Sequence, residues 1–148
     1  MNNAKKIFKN HQAQTFPFPS CLEIDSANGS FIKDINGKRY LDFVAGVSAC
    51  TLGHSNPIII NAIKKQLNKH THVMVYGEYI QSTQYKLAEL LSQNLPKSLS
   101  SSYFTNSGTE AIEGAMKLAK RATGRAKIIS CKNSYHGSTQ GAFRAMDS

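Results

Sequence analysis

Residues 103–129, YFTNSGTEAIEGAMKLAKRATGRAKII, restrict the fold more than any other stretch of the chain. A run that reads as a strand, Tyr103-Phe104-Thr105, breaks at Asn106-Ser107-Gly108-Thr109 and passes with no spacer into a helical pattern that stops at Thr123-Gly124. Ala111, Ile112, Ala115, Met116 and Ala119 recur at spacings of three and four, so one face of that helix is apolar. A second strand pattern, Lys127-Ile128-Ile129-Ser130-Cys131, follows at once. Strand, helix and strand on short joints predict a β-α-β unit. Its crossover is right-handed and its strands run parallel, which implies a sheet covered by helices, an α/β class.

The remaining sequence must accommodate that unit. With 148 residues the length suits one ordinary domain. The apolar fraction is 41%, and no apolar run approaches the roughly 18 residues that a membrane span requires. Met1 to Lys9 carries positive charge with no apolar stretch behind it, so neither a signal peptide nor a cleavable leader is expected, and a cytoplasmic address follows. Cys21, Cys50 and Cys131 are odd in number and lack C-x-x-C spacing, which argues against a disulfide framework and against a metal site. The net charge of +9 suits an anionic partner. Lysines and arginines nonetheless occur singly or in pairs, without a dense basic stripe interleaved with aromatics, so no nucleic-acid partner is expected.

The front of the chain is punctuated differently. Phe16-Pro17-Phe18-Pro19 is extended by proline's fixed φ. Cys21–Ile24, Ser30–Lys33 and Arg39–Phe43 then read as short strands separated by Asn28-Gly29 and Asn36-Gly37, turn pairs in which both residues tolerate positive φ. A small antiparallel meander is predicted. Asn56-Pro57 opens a helix with Ile59, Ile63 and Leu67 on one face, and another opens near Ser82 with Leu87, Leu90, Leu91 and Leu95 and stops at Pro96. The expected division is an N-terminal segment, residues 1–54, and the beginning of a larger domain, residues 55–148.

The junction into the helix at residue 108 carries the candidate chemistry. Amides at a helix start lack intrahelical acceptors, and the helix dipole adds partial positive charge, so an anion is favoured there. Ser107, Gly108 and Thr109 suit a phosphate: glycine allows close main-chain approach and two hydroxyls add donors. The same residues read equally as a helix cap, since Ser107 and Glu110 match the S-x-x-E capping box. Spacing matches neither G-x-x-x-x-G-K-[ST] nor G-x-G-x-x-G, which argues against ATP and NAD. Glu110 and Glu113 place negative charge nearby and must point away if a phosphate binds. Directly after the second strand comes Asn133-Ser134-Tyr135-His136-Gly137-Ser138-Thr139. It is a turn with a packed tyrosine, or an aromatic platform at the carboxyl edge of the sheet, where ligands of open α/β sheets gather. Together the two elements describe a site for a small planar phosphorylated cofactor.

These residues resemble the class III aminotransferases, pyridoxal-phosphate enzymes of fold type I. The likeness is carried by YFTNSGTEAIEGAMKLAKRATGRAKII with SYHGST, by GKRYLDFVAGVSACTLGHSNPIIINAIKKQ upstream, and by MVYGEYIQSTQYKLAELLSQNLP between them. It implies the N-terminal part of a fold type I transferase. It also implies that Ser107, Gly108 and Thr109 hold the phosphate of pyridoxal 5'-phosphate, that Tyr135 stacks on the pyridine ring, and that His136 and Gly137 shape the wall beside it. Val47 corresponds to a substrate-contacting position, aliphatic here as in acetylornithine-like members and tyrosine in ornithine-type ones. Tyr76 to Tyr79 matches a region near a homodimer interface. The family's Schiff-base lysine, the carboxylate on the pyridinium nitrogen and the substrate-gripping arginine lie downstream of the matched blocks, so no catalytic residue is expected among these 148.

The implied reaction moves an amino group from an amino acid or amine to a 2-oxo acid. Lys117, Lys120 and Lys132 read as solvated charge on the sequence pattern and not as substitutes for the missing lysine. Two alternatives stand beside this reading. One is an enzyme resembling the glutamate-semialdehyde aminomutases, which share the same block; the other is a noncatalytic phospholigand-binding or dimerising module.

Overall fold

The structure, a computed structural model, describes residues 3–74 and 76–144. It divides the chain into two units, Met1–Val75 and Tyr76–Ser148.

The first unit is organised by two turns. Strands β1 (Ile24–Asn28), β2 (Phe31–Asp34) and β3 (Arg39–Leu41) form an antiparallel sheet in the order β1-β2-β3. Gly29 and Gly37, at φ of 54° and 84°, supply the left-handed residues that the two Asn-Gly turns need. The meander expected from the sequence is present, with one correction. β1 lies over Ile24–Asn28 and not Cys21–Ile24, because Cys21 stands at a φ of 53° and interrupts extended backbone. A register shift between Ile24 and Ser26 bulges the same strand.

Asp34 closes the second turn from inside. Its Oδ1 accepts the amides of Asn36 and Lys38 at 3.0 and 2.9 Å, and its Oδ2 accepts the Tyr40 hydroxyl at 3.0 Å. Burial pushes the Asp34 carboxyl up, but the Lys38 amide, the Tyr40 hydroxyl and the Asn36 amide outweigh it and leave the group below the usual carboxylate range. β3 ends at Leu41 because the next carboxylate, Asp42, turns the chain: its Oδ1 accepts the amides of Val44 and Ala45 at 2.9 and 3.0 Å. The turn α2 (Ala45–Ser48) is left-handed, with φ of 48°, 59°, 55° and 68° at Ala45, Gly46, Val47 and Ser48. Each non-glycine residue there costs roughly 1–2 kcal/mol. Helix α3 (Pro57–Leu67) follows. Asn56 caps it, accepting the Ile58 amide at 3.0 Å, with proline in the first turn as the sequence predicts. One helix was not anticipated: α1 (Asn3–His11) brings Ala4 and Phe8 to a cavity of about 640 Å³ shared with residues 19–23 and 34–36.

In the second unit, α4 (Ser82–Asn94), α5 (Gly108–Thr123) and the short α6 (Gln140–Arg144) are the helices. Gly124 ends α5 at a φ of 69°, its amide donating to Lys120 O at 2.9 Å, as the Thr123-Gly124 stop implies. Segments 103–105 and 127–131 both lie against α5. Tyr103 packs 3.8 Å from the Cβ position of Gly114, and Ile128 to Cys131 line a cavity of about 360 Å³ with Ile112, Ala115, Met116 and His136. Neither segment carries a strand ladder among the described residues. A parallel strand pairs with whatever strand lies beside it, and no strand lies beside either one here. Apolar side chains consequently remain bare. Ile129 is 96% exposed, and Ala142 is the buried apolar side chain of the described residues.

The Asp34 turn sets a pH dependence. A carboxyl whose folded pKa is depressed stabilises the fold above its unfolded value, and that contribution is lost as pH falls through the folded one. Amide exchange at Asn36 and Lys38 is therefore expected to accelerate as pH drops below about 4, after correction for intrinsic exchange. Asp34→Asn should remove this pH step; a step that persists in that variant would assign it to another group.

Candidate cofactor site

The start of α5 is built as the sequence suggests, with a detail that sequence does not give. Ser107 is the N-cap, in extended backbone, and its Oγ accepts the Glu110 amide at 3.3 Å. Glu110 folds back: its Oε2 accepts the Ser107 hydroxyl at 3.1 Å and the Asn106 amide at 2.9 Å. This is a capping box displaced by one residue, since the carboxylate takes the amide before the N-cap. Gly108 and Thr109, the first two helical residues, hold amides that have no acceptor within the helix. Space over Gly108 is open, for a Cβ there would meet nothing within 4 Å.

The second element closes on the first. Gly137 is buried at a φ of 122°, and a Cβ on it would overlap Thr109 Oγ1 and Cβ and stand 3.0 Å from Thr109 Cα. Glycine is thus required twice over, by dihedral and by space. Thr139 completes the junction. Its Oγ1 lies 2.9 Å from Thr109 Oγ1 and donates to Glu113 Oε1 at 2.7 Å. The same Glu113 oxygen accepts the amides of Gly141 and Ala142 at 2.9 and 3.2 Å, capping α6. The Thr139 hydroxyl first, then the Gly141 and Ala142 amides and the Lys117 charge, hold the Glu113 carboxyl low against burial. Glu113 is therefore committed to the 139–142 segment, which resolves half of the charge conflict seen in the sequence.

Counting hydrogens completes the electrostatics. A hydroxyl has one hydrogen to donate. Thr139 gives its hydrogen to Glu113, so Thr109 must give its own to Thr139, while Ser107 gives its to Glu110. The donors still free at the helix start are the Gly108 and Thr109 amides; the two hydroxyls reach an anion only after turning. Similar counting fixes His136. Ser134 Oγ donates to Cys131 O at 2.6 Å, so the His136 Nε2 that lies 3.0 Å from Ser134 Oγ carries the hydrogen between them. Tyr135 is 75% exposed, its hydroxyl 3.2 Å from Ser138 Oγ. A bare aromatic face stands two residues before the glycine that docks on the helix start.

Five of the site residues expected from the sequence are thereby tied into one junction or its immediate flank: Ser107, Gly108, Thr109, Tyr135 and Gly137. His136 faces the apolar cavity beside α5. Val47 belongs to the other unit, at the left-handed turn after Asp42. The sequence reading passed over Thr139 as a bonding residue, although it stands at the end of the SYHGST block, and over the pair Asp42 and His54. Twelve positions apart, that pair shows no periodicity. Among the described residues no group of three His, Cys, Asp or Glu side chains is placed to hold a metal ion, and no helix is long and apolar enough to cross a membrane.

Comparison with known proteins meets the same block. The family model "Aminotransferase class-III" matches residues 12–148. The chain belongs to the class III aminotransferases. It is 40% identical over 124 residues to the acetylornithine aminotransferase of Bacillus anthracis, covering 84% of this chain and 31% of the relative. To that of Archaeoglobus fulgidus it is 40% identical over 135 residues, covering 91% and 35%. Among solved structures, an (S)-enantioselective omega-transaminase from Thermomicrobium roseum superposes with a TM-score of 0.86 at 27% identity, over 97% of this chain and 34% of that one. The taurine:2-oxoglutarate aminotransferase of Bifidobacterium kashiwanohense, solved with PLP and glutamate, superposes at 0.81 with 32% identity, over 92% and 31%. The chain spans about a third of the length of the relatives it matches. Its fold is the N-terminal part of a fold type I transaminase, with short antiparallel strands first and helices after.

The Gly137 contact yields a direct test. Gly137→Ala is expected to push residues 135–139 off the helix start and to destabilise the second unit by about 1–3 kcal/mol. Faster amide exchange at Gly141 and Ala142 would report the loss of the Glu113 cap. Unchanged exchange would show that the close approach does not hold this segment.

Proposed function

We propose that this chain is the phosphate-gripping N-terminal part of a transaminase that uses pyridoxal 5'-phosphate to move an amino group from an amino acid or amine to a 2-oxo acid. The observation that carries the reading is the junction itself: two unpaired amides at the start of α5, open space above Gly108, and an exposed tyrosine on the segment docked beside them. The residues present fit the cofactor. Its phosphate is a dianion suited to amides at a helix start, and its ring is flat and suited to an aromatic face.

When bound, the cofactor supplies an electrophilic carbonyl carbon and an electron-withdrawing ring. The chain's own residues supply binding and placement. The Gly108 and Thr109 amides would hold the cofactor's phosphate, and the Ser107 and Thr109 hydroxyls would add donors beside them. Tyr135 would cover one face of the ring and keep water from it. His136, with its Nε2 hydrogen committed to Ser134, stiffens the wall between that tyrosine and Gly137. Val47 meets the substrate side chain. The Schiff-base lysine and the substrate-gripping arginine are expected from outside these residues, a reading that the exposure of Lys117, Lys120 and Lys132 supports for the lysine. A homodimer that includes Tyr76–Tyr79, a cytoplasmic setting and a large cofactor-binding domain beginning within residues 55–148 belong to the same reading.

That exposure of the lysines also favours a second reading, a module that binds the phosphorylated ligand reversibly without chemistry of its own. Cofactor titration of the intact enzyme that contains this chain, followed by absorbance, separates the two: borohydride fixes the ligand to a lysine under the first reading and leaves it removable by dialysis under the second. No binding at all sinks both.

Gly108→Ala makes the phosphate contact specific. Alanine fits the ligand-free fold and favours helix by about 1 kcal/mol, so stability should hold or rise. Cofactor affinity should fall about tenfold or more, because the new methyl stands where an oxygen must approach. Equal affinity in the variant would remove the cradle from the helix start.

A further inference from the structure

Val47 is 85% exposed, β-branched and left-handed, in a run of four left-handed residues. A bulky residue persists in that region only where its surroundings over-determine it. The surroundings are specific. Asp42 Oδ1 accepts the amides of Val44 and Ala45, the two residues that lead into the turn, and Oδ2 lies 2.6 Å from His54 Nε2. An ionised carboxylate only accepts, so the imidazole is the donor. His54 is anchored in turn: its amide donates to Gly29 O at 2.8 Å and its carbonyl accepts the Gly29 amide at 3.0 Å. A Cβ on Gly53 would stand 3.3 Å from Gly29 Cα, so the approach is close. The Asp42 amide donates to Ser30 O at 2.9 Å, and Cys50 N closes the far side of the turn on Ala45 O at 2.9 Å. The hairpin turn at Gly29 and Ser30 thus holds both members of the pair, and the pair holds the turn.

We propose that Asp42 and His54 are positioning residues for the amino donor: together they lock the strained turn Ala45–Ser48 so that the Val47 side chain is presented to the aliphatic stem of the substrate. The proposal rests on the reading of Val47 as a substrate contact given above. Held rigid, the side chain meets its substrate without first being ordered, which lowers the entropic cost of binding. The hydrogen bonds of the pair stay within the first unit, so its loss should act on substrate affinity and not on the chemical step. The His54 hydrogen bond first, then the Ala45 amide, keep the Asp42 carboxyl below its ordinary range, in accord with a carboxylate engaged on both oxygens.

Asp42→Ala and His54→Gln in the intact enzyme test the assignment with two readouts. Amide exchange at Val44 and Ala45 is expected to rise about tenfold or more, and KM for the amino donor to rise about tenfold with kcat and cofactor affinity nearly unchanged. If Asp42→Ala does not fold, Asp42→Asn retains an acceptor for the two amides and should give a smaller change of the same kind. Unchanged exchange in the variants overturns the clamp. Faster exchange with an unchanged KM overturns the link to substrate. Val47→Tyr then distinguishes the two failures: a changed donor preference in that variant keeps Val47 at the substrate and faults the clamp alone, whereas no change faults the substrate reading of Val47.

Discussion

The docking of Gly137 on Thr109 is the contact on which the second unit depends. Two residue types permit it. A glycine with no side chain comes against a threonine whose hydroxyl has a partner waiting at Thr139, and the Thr139 hydroxyl has a carboxylate waiting at Glu113. The chain of bonds runs in one direction, from Thr109 to Thr139 to Glu113, because each hydroxyl has a single hydrogen and the glutamate has none. Glu113 in turn caps the helix that follows. A helix start, a helix cap and a loop conformation are therefore one connected unit, and a change in any part is felt in the others.

That direction also determines the state of the cradle. Both of its hydroxyls face carboxylates, Ser107 toward Glu110 and Thr109 through Thr139 toward Glu113, while its amides stay open. Main-chain donors do not need to reorganise to meet an anion, and side-chain donors do. Under the proposed function, an arriving phosphate would therefore meet the Gly108 and Thr109 amides before either hydroxyl. Glu110 occupies the Asn106 amide and the Ser107 hydroxyl beside those two amides.

Much of this was legible in the sequence, for reasons that differ by element. Asn56-Pro57, Ser107-x-x-Glu110 and Thr123-Gly124 are local signals, decided by residues within one turn, and each helix end stands where they place it. The meander was legible from its Asn-Gly pairs, but β1 slid three residues because Cys21 adopts a left-handed φ that no local rule imposes on cysteine. Helix α1 was missed in a lysine-rich start where Ala4, Ile7 and Phe8 supply a narrow apolar stripe. That 103–105 and 127–131 carry no ladder among the described residues could not be read from the segments alone, for pairing is a property of the neighbour. The same holds for Asp42 with His54, two residues brought together through the Gly29 turn. In the candidate site, residue types were readable from the chemistry of a helix start, whereas the order of hydrogen donation required distances.

The uncovered segments near α5 have a colloidal consequence. Ile129 and its neighbours would act as adhesive between identical molecules, and edge backbone groups would extend that attachment into open-ended stacks. An excess of nine positive charges opposes the first step, because two copies repel before their apolar strips meet. Mobile ions weaken that repulsion over distances beyond roughly 8 Å at physiological ionic strength. Self-attachment of this stretch is thus governed by the salinity around it, with dilute buffer as the protective condition.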